Sequence, residues 1–332
     1  MMAPMILRSR LFRLIFLIHV SFIASASFAA SDQGIHKRNN EMTVVASIRP
    51  LHSLLSQLMQ NVAQPVLLLD QNQSPHHFSL RPSQRNTLSR ADIFFWVGEE
   101  LESFMPRVIN AMPRQVKTIA LLENKKLDLL SPRADAPHSS GHSSAHSSGH
   151  SHDQAHHAID PHIWLSVDNA ITISEHMYRV LVDSQPKLAA IYLKNFQSLK
   201  TKLQALKQQI TQGISSRTFN YLVYHDAFQY FEAGLKIAPM AAISNDEEQP
   251  PGMRHLLFIN RLIKQKNIQC IIFNTSQPPA VARNLVKSAN MQQVFIQPLG
   301  QNYPPGPDLY FDLMNDLYKG YQQCSLHQLK LK

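Results

Sequence analysis

The chain has 332 residues, 44% of them hydrophobic, and a formal net charge of +9. That length allows two domains of ordinary size. The basic residues are scattered and form no stripe interleaved with aromatic residues, which argues against binding of nucleic acid.

Residues 1–29 predict a signal peptide. Three arginines precede an apolar stretch over 14–23, and small residues around Ala29 resemble a cleavage site. The apolar stretch is short for a membrane span, and an uncleaved anchor is the alternative. Removing those three arginines from the 32 basic residues leaves 29 against 23 acidic residues, or +6. No cysteine stands at the cleavage site, so we expect a soluble periplasmic protein without a lipid anchor.

From residue 43 the chain alternates between strand-like and helix-like patterns. We expect strands at 44–48, 65–69, 93–97 and 116–121, and helices at 51–62, 82–90, 101–112 and 168–182. Such alternation predicts a parallel sheet covered by helices. We therefore assign 43–184 to an N-terminal α/β lobe.

A histidine-rich insert at 137–157 interrupts this lobe. Its spacers are mostly Ser, Gly and Ala, which cannot form a core, so we expect a disordered tether. Neutral imidazole is a common ligand of zinc and copper. The insert is therefore a candidate for weak, accessory metal binding, with a plain flexible linker as the alternative. Its histidines are His138, His142, His146, His150, His152, His156 and His157.

A long helix is expected at 185–214, because apolar residues recur three or four apart from Leu188 to Ile210. From 186 to 213 it would extend about 42 Å at 1.5 Å per residue. That is too long for one compact lobe and suits a rigid connection between two. The helix should also limit hinge closure.

The remaining residues, 215–332, alternate again and predict a C-terminal α/β lobe. We expect strands at 221–224, 237–243, 270–273 and 294–297, and helices at 253–266, 279–289 and 307–324. The fold class is therefore α/β, with two Rossmann-like lobes that contain parallel sheets and are bridged by one long rigid helix. A cleft between such lobes is a common ligand site.

Three histidines outside the insert lie at expected strand ends or turns. His76 follows the second strand, His162 stands in a turn, and His225 follows the strand at 221–224. Ligands of α/β sheets gather at the carboxyl ends of strands, so the three rings could converge on one metal ion in the cleft. Any one of them alone is more often a loop or core histidine than a metal ligand.

For the other notable polar and aromatic residues we expect mostly structural roles. Asp160 and Asp226 could orient the rings of neighbouring histidines or cap turns. We expect Glu232 on the solvated surface, with Trp96 and Trp164 in the core. An acidic trio should also be solvated; it consists of Asp246, Glu247 and Glu248.

Cys270 and Cys324 are the only cysteines. In an exported protein two cysteines most simply pair, and closing a loop of about 55 residues is worth about 4 kcal/mol on the chain-entropy model. Two buried thiols are the alternative.

Several motifs together resemble the substrate-binding proteins of zinc ABC importers. They are SPHHFSLRPSQ at 74–84, DPHIW at 160–164, YHDAFQYFE at 224–232, PLG at 298–300 and the two cysteines. The resemblance runs from 43 to 324 and includes the histidine-rich loop. It implies zinc ligation by His76, His162 and His225 and a disulfide between Cys270 and Cys324. It also implies a monomer without enzymatic activity that delivers Zn²⁺ to an inner-membrane ABC permease and its ATPase. Docking to that transporter is the alternative role of the acidic trio at 246–248.

The chain departs from the family where a carboxylate ligand would stand. Those positions are Pro75 and Gln297, and neither supplies an anionic oxygen. Water is our preferred fourth ligand, with His77 or a histidine of the insert as alternatives. Three neutral nitrogens suit zinc and disfavour manganese, calcium and magnesium. Copper would bind at least as tightly, so only its availability would exclude it.

Two other functions compete with transport. Three histidines and a water also form a catalytic zinc site, but the sequence contains no HExxH or GxSxG motif and no clear general base beside the histidines. The other alternative is a periplasmic metal buffer or an adhesin-like protein without a transporter.

Overall fold

The computed structural model describes residues 42–70, 74–76, 78–133, 159–214, 219–244 and 251–329. All of them belong to one compact unit, Met42–Lys332. The expected signal peptide, the histidine-rich insert, His77 and the acidic trio at 246–248 lie outside the described residues. Within the described ranges, no helix combines the length and apolar character needed to cross a membrane.

The first lobe is built on a four-stranded parallel sheet in the order β2-β1-β3-β4. The central strands are continuous apolar runs whose residues are all buried, as expected where helices cover both faces of a parallel sheet. The strands are β1 Val44–Ala46, β2 Val66–Leu67, β3 Ile93–Trp96 and β4 Lys117–Ala120; the helices are α1 Arg49–Leu58, α2 Pro82–Ser89 and α3 Met105–Asn110.

Two helices lie in the described range that begins at residue 159. α4 covers Val167–Ser184, and α5 covers the 26 residues Ala189–Ile214 after a short 3₁₀ turn at Pro186–Leu188. At 1.5 Å per residue α5 extends about 39 Å. Its buried side chains recur at helical spacing from Tyr192 to Ile214, so one face packs against the core along its length.

The second lobe repeats the topology of the first, with parallel strands in the order β6-β5-β7-β8. Along β5, Tyr221 and Val223 enter the core shared with the first lobe, whereas Leu222 and Tyr224 enter a second core under α7 and α8. The strands are β5 Tyr221–His225, β6 Ala241–Ser244, β7 Cys270–Phe273 and β8 Gln292–Phe295; the helices are α6 Gln229–Leu235, α7 Met253–Lys266, α8 Ala280–Ser288 and α9 Leu309–Leu329.

In addition to α5, hydrogen bonds and a continuous hydrophobic core join the two lobes. The hydroxyl of Ser53 on α1 donates to the carbonyl of Pro307 at 3.1 Å and accepts from the backbone N–H of Tyr310 on α9 at 2.9 Å. The guanidinium of Arg49 donates to the carbonyl of Tyr303 at 2.8 Å. The main hydrophobic core is likewise continuous from the first sheet to the second. These contacts strengthen the expectation of limited hinge motion.

A disulfide joins Cys270, the first residue of β7, to Cys324 on α9, with their Cα atoms 5.5 Å apart. The pairing implied by the resemblance is therefore confirmed. Because α9 also packs on α1 and α5, the bridge fixes the last helix between the second sheet and the helices of the first lobe.

The expected fold class is confirmed, and the differences are local. β6 begins at Ala241 rather than 237, because Pro239 precedes it and cannot donate a ladder hydrogen bond. β8 lies two residues earlier than expected, since its register is set by pairing with β7. The short helix α6 was not predicted. The lobe boundaries expected at 184 and 214 remain predictions.

Candidate metal centre

His76, His162 and His225 converge on one point. Each offers a ring nitrogen, and these three atoms all lie within 4.8 Å of one another. The ring centroids are 5.7, 6.2 and 5.8 Å apart, and no two rings are stacked. In a tetrahedral zinc site with Zn–N distances of about 2.1 Å, ligand nitrogens are about 3.4 Å apart. The described residues contain no other such group of three or more candidate ligands.

The fold explains why residues so distant in sequence meet. His225 is the last residue of β5, beside the point where the strand order reverses between β5 and β7. That edge of a parallel sheet is where ligands bind. His76 follows β2 at the corresponding edge of the first sheet. The expectation that the three histidines approach one another is thus met by the geometry.

A buried tryptophan anchors the turn that carries His162. Trp164 is fully buried, and its indole N–H donates to the carbonyl of Pro298 at 2.8 Å. Its own carbonyl accepts from the hydroxyl of Tyr310 at 2.9 Å. Trp164 and Trp96 both lie in the core, as expected from the sequence. The turn of His162 is therefore held by residues of the C-terminal lobe.

Asp160 both caps this turn and orients the ring of His162. One carboxylate oxygen, Oδ1, accepts the backbone N–H of His162 at 3.0 Å and lies 2.7 Å from its ring Nδ1. Both side chains are buried. A carboxylate that holds one ring nitrogen leaves the other for a metal and makes it a stronger donor. Both roles considered for Asp160 are therefore present in the same carboxylate.

Asp226, directly after His225, pairs with Arg133, which no motif of the sequence indicated as part of the site. Its Oδ1 lies 2.5 Å from Nη1 of Arg133, and the second guanidinium nitrogen, Nη2, lies 2.5 Å from Oε2 of Glu232. Burial raises the pKa of Asp226 to about 6; Arg133 opposes this shift, and Glu232 adds to it. A small ionic cluster thus adjoins the three histidines.

The expectation that Glu232 lies on the solvated surface was wrong. Glu232 is fully buried, and its Oε1 accepts the hydroxyls of Tyr221 at 2.7 Å and Tyr321 at 2.6 Å. A buried carboxylate needs such partners. The sequence does contain a signal, because Glu232 directly follows Tyr230 and Phe231 in an aromatic run that folds inward.

A cavity of about 370 Å³ opens beside His76 and His162. Pro75 and Gln297 both line it, at the positions where a carboxylate ligand was considered. The rest of its described lining is also uncharged, chiefly amides, hydroxyls and prolines from the loops after β7 and β8. Among the described residues, the open side of the histidine cluster therefore faces neutral polar groups and no anionic oxygen.

Comparison with known proteins places these features in a family. Residues 44–324 match the family model described as "Zinc-uptake complex component A periplasmic". The high-affinity zinc uptake system protein ZnuA of Brucella abortus is 32% identical over 329 residues, covering 92% of this chain and 98% of that protein. The protein of the same name from Yersinia pestis is 28% identical over 292 residues, covering 85% and 90%.

Solved structures show the same fold. The Zn(II)-bound ZnuA-like domain of Streptococcus pneumoniae AdcA has a TM-score of 0.67 at 22% identity, over 86% of this chain and 99% of that one. FpvC from Pseudomonas aeruginosa, in complex with Mn²⁺, has a TM-score of 0.71 at 16% identity, over 87% and 100%. Since the family model spans most of its length and a relative is 32% identical along nearly all of it, the chain belongs to the family of the periplasmic zinc-uptake complex component A.

Proposed function

We propose that this chain captures Zn²⁺ in the periplasm between its two lobes and delivers it to an ABC permease. His76, His162 and His225 would be the ligands. The convergence of their ring nitrogens within 4.8 Å, from three distant segments, is the observation that carries the proposal. The names of the relatives from Brucella abortus and Yersinia pestis, which are zinc uptake system proteins, support it.

The chemistry of the donor set favours zinc as the cargo. Three neutral imidazoles suit zinc, whereas manganese, calcium and magnesium prefer oxygen ligands. The described part of the lining of the adjoining cavity is uncharged and adds no carboxylate. Water would complete the tetrahedron from this open side. Copper would bind such a site at least as tightly, so its exclusion depends on its low availability.

The arrangement is suited to binding and release rather than to bond making. A zinc hydrolase places a general base within reach of the metal-bound water. Asp160 is already engaged with His162, and Asp226 with Arg133. No carboxylate or amine lines the described part of the open cavity. We therefore propose that the protein is not an enzyme.

The cellular arrangement follows from the same proposal. Residues 1–29 would direct export, after which the lobes 43–184 and 215–332, linked by 185–214, would act as a periplasmic monomer without a lipid anchor. The permease and its ATPase would be the partners. The insert at 137–157 would hold further zinc ions weakly and raise their concentration near the cleft. Its deletion should remove weak binding and leave the tight site intact.

The test is growth of a zinc-importer-deficient strain that carries the cognate permease and this chain or a variant. Under chelator-imposed zinc starvation, the wild type should restore growth and His76→Ala should not. His176→Ala is the matched control, because His176 is a partly buried histidine on α4, away from the cluster. Full growth with His76→Ala, at equal protein level, would contradict the proposal. No growth with the wild type would favour a metal buffer without a transporter.

A further inference from the structure

A short segment of the first lobe touches the residues that hold two of the three histidines. The segment is 130–133, and we call it the brace. The backbone N–H of Asp160 donates to the carbonyl of Leu130 at 2.8 Å. Asp160 in turn holds the ring of His162. At the other end of the brace, Arg133 pairs with Asp226, the residue directly after His225.

The brace is also docked on the start of α6 in the second lobe. The hydroxyl of Tyr230 accepts the backbone N–H of Leu130 at 3.0 Å and donates to the carbonyl of Asp160 at 2.9 Å. The side-chain amide of Gln229 donates to the carbonyl of Ser131 at 3.0 Å. The brace, Asp160 and α6 therefore form one hydrogen-bonded unit beside the cluster.

Arg133 is the charged element of this unit. Its side chain is about four-fifths buried, and the guanidinium pairs with two carboxylates, of which Glu232 is completely buried and Asp226 nearly so. Because a guanidinium is planar and its N–H groups point in fixed directions, it constrains the orientation of both carboxylates, whereas a lysine ammonium does not. Glu232 is itself held by the hydroxyls of Tyr221 and Tyr321. The position of Arg133 is therefore determined by the second lobe.

The turn after β5 transmits this restraint to His225. Asp226 is adjacent to His225, so their Cα atoms are about 3.8 Å apart. The carbonyl of His225 accepts the backbone N–H of Ala227 at 2.9 Å, which tightens the turn. A displacement of Asp226 would therefore move the last residue of β5. Through Leu130 and Asp160, the same brace restrains His162 from the other side.

We propose that Arg133 is a positioning residue of the zinc site, which sets the separation of His162 and His225 and slows the release of zinc. This inference rests on the proposed function of the three histidines. Arg133 does not contact the metal in this account. It acts by keeping two ligands, one carried by the turn at 160–164 and one by β5, in fixed relation.

The variants are Arg133→Met, Arg133→Lys and the double variant Arg133→Met with Glu232→Gln. The double variant reduces the risk of misfolding, because it removes the completely buried one of the two carboxylates, Glu232 and Asp226, that the single change leaves without their arginine. The amide oxygen introduced by Glu232→Gln can still accept the two tyrosine hydroxyls. Lys207→Met is the control, since it breaks an ion pair to Asp168 in which both side chains are about half exposed.

Two quantities are measured on the full-length mature chain. One is the rate of zinc release into excess chelator, and the other is the visible absorption of the Co²⁺-loaded protein, which reports coordination geometry. In Arg133→Met and in the double variant, release should be about tenfold faster, the lower end of losses seen when outer-shell partners are removed. The Co²⁺ spectrum should change as well. Arg133→Lys should lie between these variants and the wild type, and Lys207→Met should match the wild type.

The outcomes separate this inference from the function on which it rests. A tight site in the wild type that disappears in His225→Ala, together with wild-type release and spectrum in both Arg133→Met variants, would overturn the inference alone. Arg133 would then only stabilise the fold. A wild type without a tight site sensitive to His225→Ala would overturn the proposed function and, with it, the role of Arg133.

Discussion

Glu102 is a buried carboxyl group whose replacement should change the pH dependence of stability. It is fully buried behind the carboxyl end of β3, where its Oε2 accepts the backbone N–H groups of Val97 and Gly98, both at 3.0 Å. Burial raises the pKa of Glu102 from 4.5 to about 7, and the nearby side chain of Ser47 and the same backbone N–H groups oppose the shift. The perturbation is Glu102→Gln, which keeps the shape and an acceptor oxygen but cannot ionise.

The sign of this pH dependence follows from the number of protons that the folded and the unfolded states bind. Between pH 4.5 and 7 the folded protein holds a proton on Glu102 that the unfolded chain has lost, so the free energy of unfolding falls as pH rises through this window. A shift of about 2.5 pKa units corresponds to about 3 kcal/mol. Glu102→Gln should therefore be about 1–3 kcal/mol more stable than the wild type at pH 8, since an amide oxygen accepts somewhat less strongly than a carboxylate. At pH 4.5 the two should be nearly equal.

The assay is urea unfolding of the metal-free, oxidised protein at pH 4.5 and pH 8, followed by tryptophan fluorescence. The difference between variant and wild type isolates Glu102 from other titrating groups. Glu100→Gln, at an exposed carboxylate two residues earlier, is the control and should change little at either pH. A stability difference that is the same at both pH values would refute this prediction, and so would a variant that is less stable than the wild type at pH 8.

Three further predictions concern the site and the bridge. Gln297→Glu places a carboxylate in the lining of the cavity beside the histidines; it should tighten zinc binding by about tenfold, or 1.4 kcal/mol, and introduce measurable Mn²⁺ binding in a competition titration. Acidification from pH 7 to 5 should weaken zinc binding, because protonated imidazole cannot ligate; an affinity independent of pH in chelator competition would argue against histidine ligation. Cys324→Ser should lower the free energy of unfolding by about 4 kcal/mol on the chain-entropy model and leave zinc affinity largely unchanged, because the bridge joins β7 to α9 away from the cluster; a large loss of zinc affinity in the folded variant would contradict this.

The close approach of the three histidines could be predicted from the sequence, because each lies after a strand or in a turn whose place beside a parallel sheet can be inferred. His225 is the clearest case, since it ends β5 at the reversal of strand order. The two sheets could be anticipated for the same reason, because central parallel strands such as β3 are continuous apolar runs.

The ionic cluster could not be anticipated in this way. Its members come from three separate segments and meet only when the two lobes have packed: Arg133, the motif at 224–232 with Asp226 and Glu232, and Tyr321. No local pattern encodes that meeting, and a carboxylate such as Glu232 is usually exposed when read alone. The seven-residue helix α6 was missed because it is too short to show a helical period.

The most direct test of the account is a chelator-competition zinc titration of the metal-free mature protein beside His76→Ala and the control His176→Ala. We predict one tight site in the wild type and in His176→Ala that is absent from His76→Ala, with a weaker set of sites retained in all three proteins. Only weak binding, unchanged by His76→Ala, would contradict it. The three converging histidines would then be structural, and the histidine-rich insert would carry all of the metal binding.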